Sequence, residues 1–295
     1  MKIAITGGAG FIGSNAANYL SKKHKVKAID NLKFGNRANV DPGVNFGICN
    51  FEDITTEELN TYDVLVHMAT ANIIYAQKNQ VDTFKVNALE TINLFERFKG
   101  KIIYTSTASV YGQAEELPTP EHAQKRVSNA YDQSKLIGEK YLELRGDFTT
   151  LRLSNVYGPG QRADNPYCGV MGKFIDAGLR DEPMLIFGSG LDTRDYTFID
   201  DVIDAVDRAI ELPSTNCAIN ISGQNEVSVD ELAVYISMVL EQPLNAEYVK
   251  CRSIDTINRR FLDIRLAKSL LGWSPKTNLK TGLEKTINWN RCILH

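Results

Sequence analysis

Two short runs carry residue types at spacings that chemistry can use. In the first, the hydrophobic run Lys2-Ile3-Ala4-Ile5-Thr6 leads straight into Gly7-Gly8-Ala9-Gly10-Phe11-Ile12-Gly13. Gly7, Gly10 and Gly13 permit a tight turn, close approach of backbone to a pyrophosphate, and close packing of helix on sheet. The helix that follows supplies anion-binding N–H groups. Asp30 ends the second hydrophobic run. A carboxylate there accepts hydrogen bonds from both ribose hydroxyls of a dinucleotide and repels a 2′-phosphate, which favours NAD over NADP.

The second run is Tyr131-Asp132-Gln133-Ser134-Lys135, in a segment of helical pattern. Residues four apart share one helix face, so Tyr131 and Lys135 can meet one ligand. A free tyrosine has a pKa of about 10 and is a poor base at neutral pH, but a nearby ammonium and a nicotinamide cation favour the phenolate. Lys135 is therefore expected to prepare Tyr131 as an acid/base. Alone, the same spacing describes an ordinary surface pair, and its neighbours must decide.

The elements that position these runs are legible as alternation. Near-continuous hydrophobic stretches at 2–6, 25–30, 44–49, 63–69, 101–106 and 149–154 read as strands buried on both faces. Segments of helical length lie between them, notably 82–99 and 128–145, and strand-helix alternation implies a parallel sheet with right-handed crossovers. The expected fold is a Rossmann-type, doubly wound α/β domain with a smaller C-terminal substrate-binding unit. Beyond Tyr157-Gly158-Pro159-Gly160 the pattern becomes loop-rich, and 218–223 reads as a returning core strand. The expected division is 1–159 with 195–222 for the dinucleotide unit, and 160–194 with 223–295 for the other.

Composition narrows the class. A chain of 295 residues with 43% hydrophobic and 23% charged residues can bury a core and is unlike disordered or fibrous sequences. A formal net charge of −3 does not carry the footprint of a nucleic-acid binder. Cys49, Cys168, Cys217, Cys251 and Cys292 form no CxxC, and an odd count cannot close into a full disulfide framework, so a reducing cytoplasm is expected. No apolar stretch approaches the roughly 20 residues of a membrane span. His24, His67, His122 and His295 show no ligand spacing, and no metal site is expected. His67, in an apolar strand, reads as a packed core histidine. Asp200-Asp201 reads as a helix N-cap with a second acid near the dipole.

Taken together, TGGAGFIGSN, HMATAN (67–72), YTSTASVYG (104–112), YDQSK, LRLSNVYGPGQR (151–162), IFGSGLDTRDYTFIDDV (186–202) and FLDIRLAKSLLGW (261–273) resemble one family. They match, in order and along essentially the whole chain, the extended short-chain dehydrogenase/reductases that act on nucleotide sugars, in particular the UDP-glucose 4-epimerase-like members. The resemblance implies a catalytic set of Thr107, Tyr131 and Lys135. It implies NAD contacts from Gly7, Gly10, Phe11, Ile12, Gly13, Asp30 and Asn31, with Asn50 and Phe51 near the adenine, Asn87 beside the cofactor, and Tyr131 and Lys135 at the nicotinamide end. Thr107, Asn155, Arg194 and Arg252 are the implied contacts to the nucleotide sugar, arginine being suited to paired phosphate oxygens. Arg260 falls where 4-epimerases carry the residue that gates N-acetyl hexoses.

Members that eliminate water carry an Asp-Glu pair after the catalytic hydroxyl, and the related decarboxylases carry the Glu. Here those positions are Ala108 and Ser109, and no cysteine lies near this turn as it does in the 3,5-epimerase branches. What remains is hydride transfer with one proton carrier, which implies 4-epimerisation of a UDP-hexose or UDP-N-acetylhexosamine through a transient 4-keto sugar. A one-way 4-ketosugar reductase or dehydrogenase, an epimerase at another carbon, and a non-catalytic nucleotide-sugar-binding regulator stand as alternatives. The helices at 82–99 and 128–145 resemble those that pair into a homodimer in this family. Phe84, Leu94 and Phe98 are their apolar positions, free to serve either a partner or the sheet.

Overall fold

The hydrophobic runs become strands in a computed structural model that describes residues 1–165, 168–252 and 257–294. In chain order the described strands are β1 (Lys2–Thr6), β2 (Lys25–Asp30), β3 (Asn45–Ile48), β4 (Val64–His67), β5 (Lys101–Thr107), β6 (Phe148–Leu153), β7 (Asn155–Tyr157), β8 (Met184–Phe187), β9 (Thr193–Phe198), β10 (Ala218–Ile221), β11 (Glu226–Ser228), β12 (Ala246–Val249) and β13 (Arg259–Arg260). Seven of them form one sheet in the order β10-β6-β5-β4-β1-β2-β3, every pair parallel.

Both faces of the central strands are covered, which is why they read as largely hydrophobic runs, while the edge strand β3 is half-buried to exposed. Ile3, Ile5, Val26, Ala28, Val64, Val66 and Ile103 point one way, into a core shared with the helices Phe11–Leu20 and Ile199–Glu211. Ala4, Ile29, Leu65, Ile102 and Tyr104 point the other way, onto Leu94, Phe95, Phe98 and Leu142. Leu94 and Phe98 thus serve the sheet and are closed to a partner. The second face is built from Gln80–Phe84, a π-helical stretch Lys85–Glu90, Thr91–Arg97, and the long helix Ala130–Arg145.

After β6 the chain leaves this sheet at Ser154, whose hydroxyl pairs with that of Thr197. β7 lies parallel to β9, and β9 is flanked by antiparallel β11 and parallel β13, while β8 and β12 form a separate pair. Two strands that the sequence division assigned to the first unit, β7 and most of β9, therefore belong to the second sheet. The helix Ile199–Glu211 and β10 return to the first. No helix among the described residues is long and apolar enough to cross a membrane.

The reading of Asp200-Asp201 as an N-cap needs correction. Phe198 is the cap residue and offers no side-chain bond. Asp201 instead is buried in the first turn, where its two oxygens accept from the backbone N–H groups of Lys276 (3.0 Å) and Thr277 (3.1 Å), and its carbonyl accepts from Trp273 Nε1 at 2.9 Å. It straps the C-terminal segment to the first unit.

One buried ion pair ties the helix Ala130–Arg145 to the sheet. Arg152 of β6 meets Glu139 at 2.6 Å with both side chains nearly inaccessible, and Arg152 also donates to Tyr111 Oη at 2.8 Å. Glu139 accepts a further bond from the Ser106 hydroxyl of β5. Breaking such a pair by removing one partner strands the other charge, a cost of about 3–5 kcal/mol, whereas replacing both with apolar residues can be near neutral. Glu139→Ala is expected to lower the urea midpoint accordingly, and Arg152→Met/Glu139→Leu to recover most of it, as read by chemical denaturation.

Candidate active site

Where strand order reverses beside β1, a cleft of ≈ 600 Å³ opens at the carboxyl ends of the strands, the place an open α/β sheet offers to a ligand. One wall is the turn after β1. Gly7 sits at φ +72°, and a Cβ there would lie 2.6 Å from the Ala69 nitrogen of the neighbouring strand end; a Cβ on Gly13 would lie 2.0 Å from Gly7 O. The turn can be built only from glycine at these positions. Gly10 caps the helix Phe11–Leu20 with no side-chain bond, so the first-turn N–H groups are left for a ligand, and Gly10, Phe11, Ile12 and Gly13 all line the cleft.

Asp30, buried at the end of β2, accepts from Ala9 N at 3.0 Å and Leu32 N at 2.7 Å. Each carboxylate oxygen keeps a lone pair for a ribose hydroxyl. Asn31 donates to Asn50 Oδ1 at 3.0 Å, and Asn50 donates to Asp53 at 2.8 Å, so the two asparagines brace the rim. Phe51 lines the cleft but is largely core, its ring set edge-on to His67 at 5.0 Å. These residues fit a dinucleotide: a glycine cradle, an uncapped helix end and a ribose carboxylate in one cleft.

Thr107, Tyr131 and Lys135 meet on the opposite wall. Thr107 ends β5, and its hydroxyl oxygen caps the short turn Ala108–Tyr111 by accepting from Ser109 N at 3.1 Å. Tyr131 and Lys135 share the inner face of the helix Ala130–Arg145, begun by Asn129, whose side chain accepts from Asp132 N at 2.9 Å.

The electrostatics differ from the sequence expectation. Lys135 is 2% exposed and its ammonium stands over the Tyr104 ring, 4.1 Å from the centroid. Burial pushes it down to about 7, with Glu139 a partial offset. Tyr131 is pushed up to about 12, first by burial and then by the charge of Asp132, with the Thr107 hydroxyl and Arg260 opposing. In the cofactor-free protein, desolvation and the Asp132 charge therefore outweigh Thr107 and Arg260, and the phenol is held toward its protonated form.

The remaining expectations fall in three groups. Asn87 is buried one layer behind the cleft, where its amide clamps Ala71 N (2.7 Å) and Ala71 O (2.8 Å) and reaches Ser134 Oγ at 3.1 Å. It holds the cleft wall and does not line it; the π-helical stretch carries it there. Asn155 lies between the cleft residues Ser154 and Val156 and donates to Asp195 O at 3.3 Å. Arg194 lies in register beside Arg260 on adjacent strands, while Arg252 is exposed with its guanidinium 4.4 Å above the Phe187 ring, outside the cleft wall. Burial and the charge of Arg194 bring Arg260 down to about 10, and its Nε is buried with no hydrogen-bond partner.

His67 is buried and bonded to the Thr6 (2.7 Å) and Thr91 (3.1 Å) hydroxyls, which suits a core histidine; burial holds it well below its ordinary pKa. His24, Asp207 and Glu211 converge elsewhere, beside the helix Ile199–Glu211, and Asp207 there already carries Lys23 at 2.6 Å. Sequence reading missed Ser109 and Asp132. A polar residue directly after the tyrosine, three beyond a capping asparagine, was the signal that could have shown Asp132.

Comparison with known proteins is consistent along the whole chain. The family profile described as "NAD dependent epimerase/dehydratase family" matches residues 3–222. A putative UDP-glucose 4-epimerase of Methanocaldococcus jannaschii is 34% identical, with 97% of each chain covered. UDP-glucuronic acid decarboxylase 5 of Arabidopsis thaliana is 32% identical over 96% of this chain and 87% of its own. The crystal structure of UDP-glucose 4-epimerase with UDP-glucose from Thermotoga maritima superposes with a TM-score of 0.92 at 30% identity over 100% of both chains.

Lys135 sets a pH signature of its own. Its folded pKa of about 7 lies below the ordinary 10.5, so between those values the folded protein binds fewer protons than the unfolded chain, and stability rises with pH across that window. Lys135→Met is expected to remove this rise and to increase the melting temperature of cofactor-free protein at neutral pH, while turnover falls by about 10²-fold or more. Calorimetry across that window, paired with product assays, checks both halves.

Proposed function

The chain belongs to the NAD dependent epimerase/dehydratase family, and from that premise we propose that it interconverts the C4 epimers of a UDP-linked hexose or N-acetylhexosamine through a transient 4-keto sugar. The observation that carries this reading is the wall of the cleft itself: Thr107, Tyr131 and Lys135 converge there, while Ala108 and Ser109 occupy the two positions where elimination and decarboxylation need carboxylates. A site with a tyrosine proton carrier and no carboxylate at the two positions after Thr107 suits a reaction that only removes and returns hydrogen at one carbon.

NAD is the cofactor of this family; bound in the cleft, it takes up and gives back the hydride of the sugar C4. Gly7, Gly10, Gly13 and Asp30 hold it, with Lys135 at the nicotinamide ribose. Tyr131 exchanges the proton of the 4-OH. Burial gives Tyr131 a high proton affinity in the cofactor-free protein, and the positive charge of an oxidised nicotinamide held beside it would lower that affinity, which suits a group that must both take and return one proton. Asn155 and Arg194 hold the diphosphate and leave the hexose free to turn over, Arg252 lying outside the cleft.

One observation favours an acidic hexose within the class. The Nε of Arg260 is buried with no hydrogen-bond partner among the described residues, and its guanidinium feels the charges of Arg194, Asp132 and Tyr131. A carboxylate on the sugar would complete that guanidinium.

A homodimer is part of the proposal. Val81 (85% exposed), Leu89 (57%), Ile137 (40%) and Leu144 (87%) are apolar residues left open on the outer helical layer, and a symmetric pairing of these helices would cover them. Sedimentation velocity at micromolar concentration is expected to give a dimer, and Leu144→Glu/Val81→Glu a monomer.

Epimerisation returns its hydride every cycle, so purified protein is expected to contain NAD and to work without added nucleotide. Incubated with UDP-glucose, UDP-galactose, their N-acetyl counterparts and UDP-glucuronate, it should bring a C4 pair to the same mixture from either side with no net NADH, read by NMR. Product formed only in proportion to added NADH or NADPH would replace this reading with a one-way reductase, and loss of carbon dioxide from UDP-glucuronate with a decarboxylase.

A further inference from the structure

Asp132 follows Tyr131 directly, yet it is 2% exposed and forms no ion pair among the described residues. Its Oδ2 accepts from Asn129 Nδ2 at 2.7 Å, and its Oδ1 accepts from the hydroxyl of Ser109. Ser109 is itself buried, and its Oγ lies 2.9 Å from the Thr107 hydroxyl. We propose that Asp132 and Ser109 form a hydrogen-bonded chain that fixes the direction of the Thr107 hydroxyl, making Asp132 a positioning residue for the Thr107–Tyr131 pair on which the proposed epimerisation rests.

The direction follows from counting hydrogens. An ionised carboxylate only accepts, so Ser109 spends its single hydrogen on Asp132. Toward Thr107 the Ser109 oxygen can then only accept, and Thr107 must donate its own hydrogen to Ser109. The Thr107 oxygen also accepts from Ser109 N at 3.1 Å, which leaves one lone pair facing the cleft. Thr107 thus presents an acceptor to Tyr131 or to the sugar. A hydroxyl free to donate favours the phenolate beside it; one that can only accept favours the neutral phenol. A hydrogen bond from Thr107 would lower the proton affinity of Tyr131; by drawing the Thr107 hydrogen toward Ser109 the chain limits that lowering, and Tyr131 keeps its proton more firmly than beside a freely rotating hydroxyl.

Other charges face the pair. Arg260 approaches from β13 with Arg194 behind it, Lys135 stands one turn along the same helix over Tyr104 of β5, and Glu139 lies a further turn on. None of them hydrogen-bonds the chain; its direction is set by Asp132 and Ser109, with the carboxylate held by the Asn129 amide and the Ser128 backbone N–H.

Two variants separate direction from charge. Asp132→Asn removes both the negative charge and the fixed direction, whereas Ser109→Ala keeps the charge and frees the Thr107 hydrogen. With full-length protein, an ultraviolet tyrosinate titration taken as the difference from Tyr131→Phe reads Tyr131 directly, without any sugar. Both variants are expected to lower the Tyr131 pKa and to move the acid limb of the kcat/KM profile to lower pH. In both, kcat should fall about 10-fold, below the 10²–10⁴-fold of losing the acid/base itself, with KM within about 2-fold. Ser109→Thr, which keeps a hydroxyl, should restore wild-type behaviour. A Tyr131 titration in Ser109→Ala identical to wild type, with a shift only in Asp132→Asn, would reduce Asp132 to a nearby charge and overturn the proposal; Ser109→Ala also carries the test if Asp132→Asn fails to fold. Absence of C4 exchange with any nucleotide sugar would sink the proposed reaction and leave the titration result standing.

Discussion

Removal of water from a few ionisable side chains governs this molecule. Lys135 and Asp132 are buried and Tyr131 and Arg260 half-buried, and for each of them burial is the largest influence on its protonation. Coulomb interactions that would be worth little in water become the means by which these groups set one another's charge. The network extends inward: Glu139, the partial counter-charge to Lys135, is also the partner of Arg152, and that pair fastens the helix to the sheet. Site chemistry and tertiary structure therefore share one carboxylate.

The architecture delivers these groups from separate parts of the chain. Parallel strands end together, so the turn after β1, the end of β2 and the end of β5 open on one cleft. The helix Ala130–Arg145 lays Tyr131 and Lys135 along the same wall, and the second sheet sets Arg194 and Arg260 side by side above them. The two sheets are bound by contacts that neither makes alone, among them the Ser154–Thr197 pair and the Asp201 strap to Lys276 and Thr277.

Much of this was legible in the sequence, and the physical reason is local. Strands covered on both faces are largely hydrophobic, so the central strands of the main sheet were visible as runs; a turn that tolerates no Cβ must be glycine, so the cradle was visible too. What could not be read depends on neighbours distant in sequence. Leu94 and Phe98 are apolar whichever way they point, and only the packed helix shows that they serve the sheet. Asp201 looks like any acid near a helix start until the C-terminal segment arrives to use it. The ammonium of Lys135 was expected to govern Tyr131, but spacing reports only that two side chains share a face, not that an aromatic ring from β5 stands beneath one of them. The link between Asp132 and Ser109 joins a helix to a turn 23 residues earlier and has no sequence pattern of its own.

The position of β10 has a bearing on how the chain is made. β6 is buried along its whole length, and its outer edge is closed only by β10, which follows after the entire excursion through β7, β8 and β9. On a ribosome adding about 5–20 residues per second, the nascent chain therefore carries an open edge on β6 for seconds before its closing strand emerges. An unpaired strand edge is a template for association with other chains. The chain is thus most vulnerable to aggregation during synthesis, after the dinucleotide half has formed and before Ala218 leaves the exit tunnel.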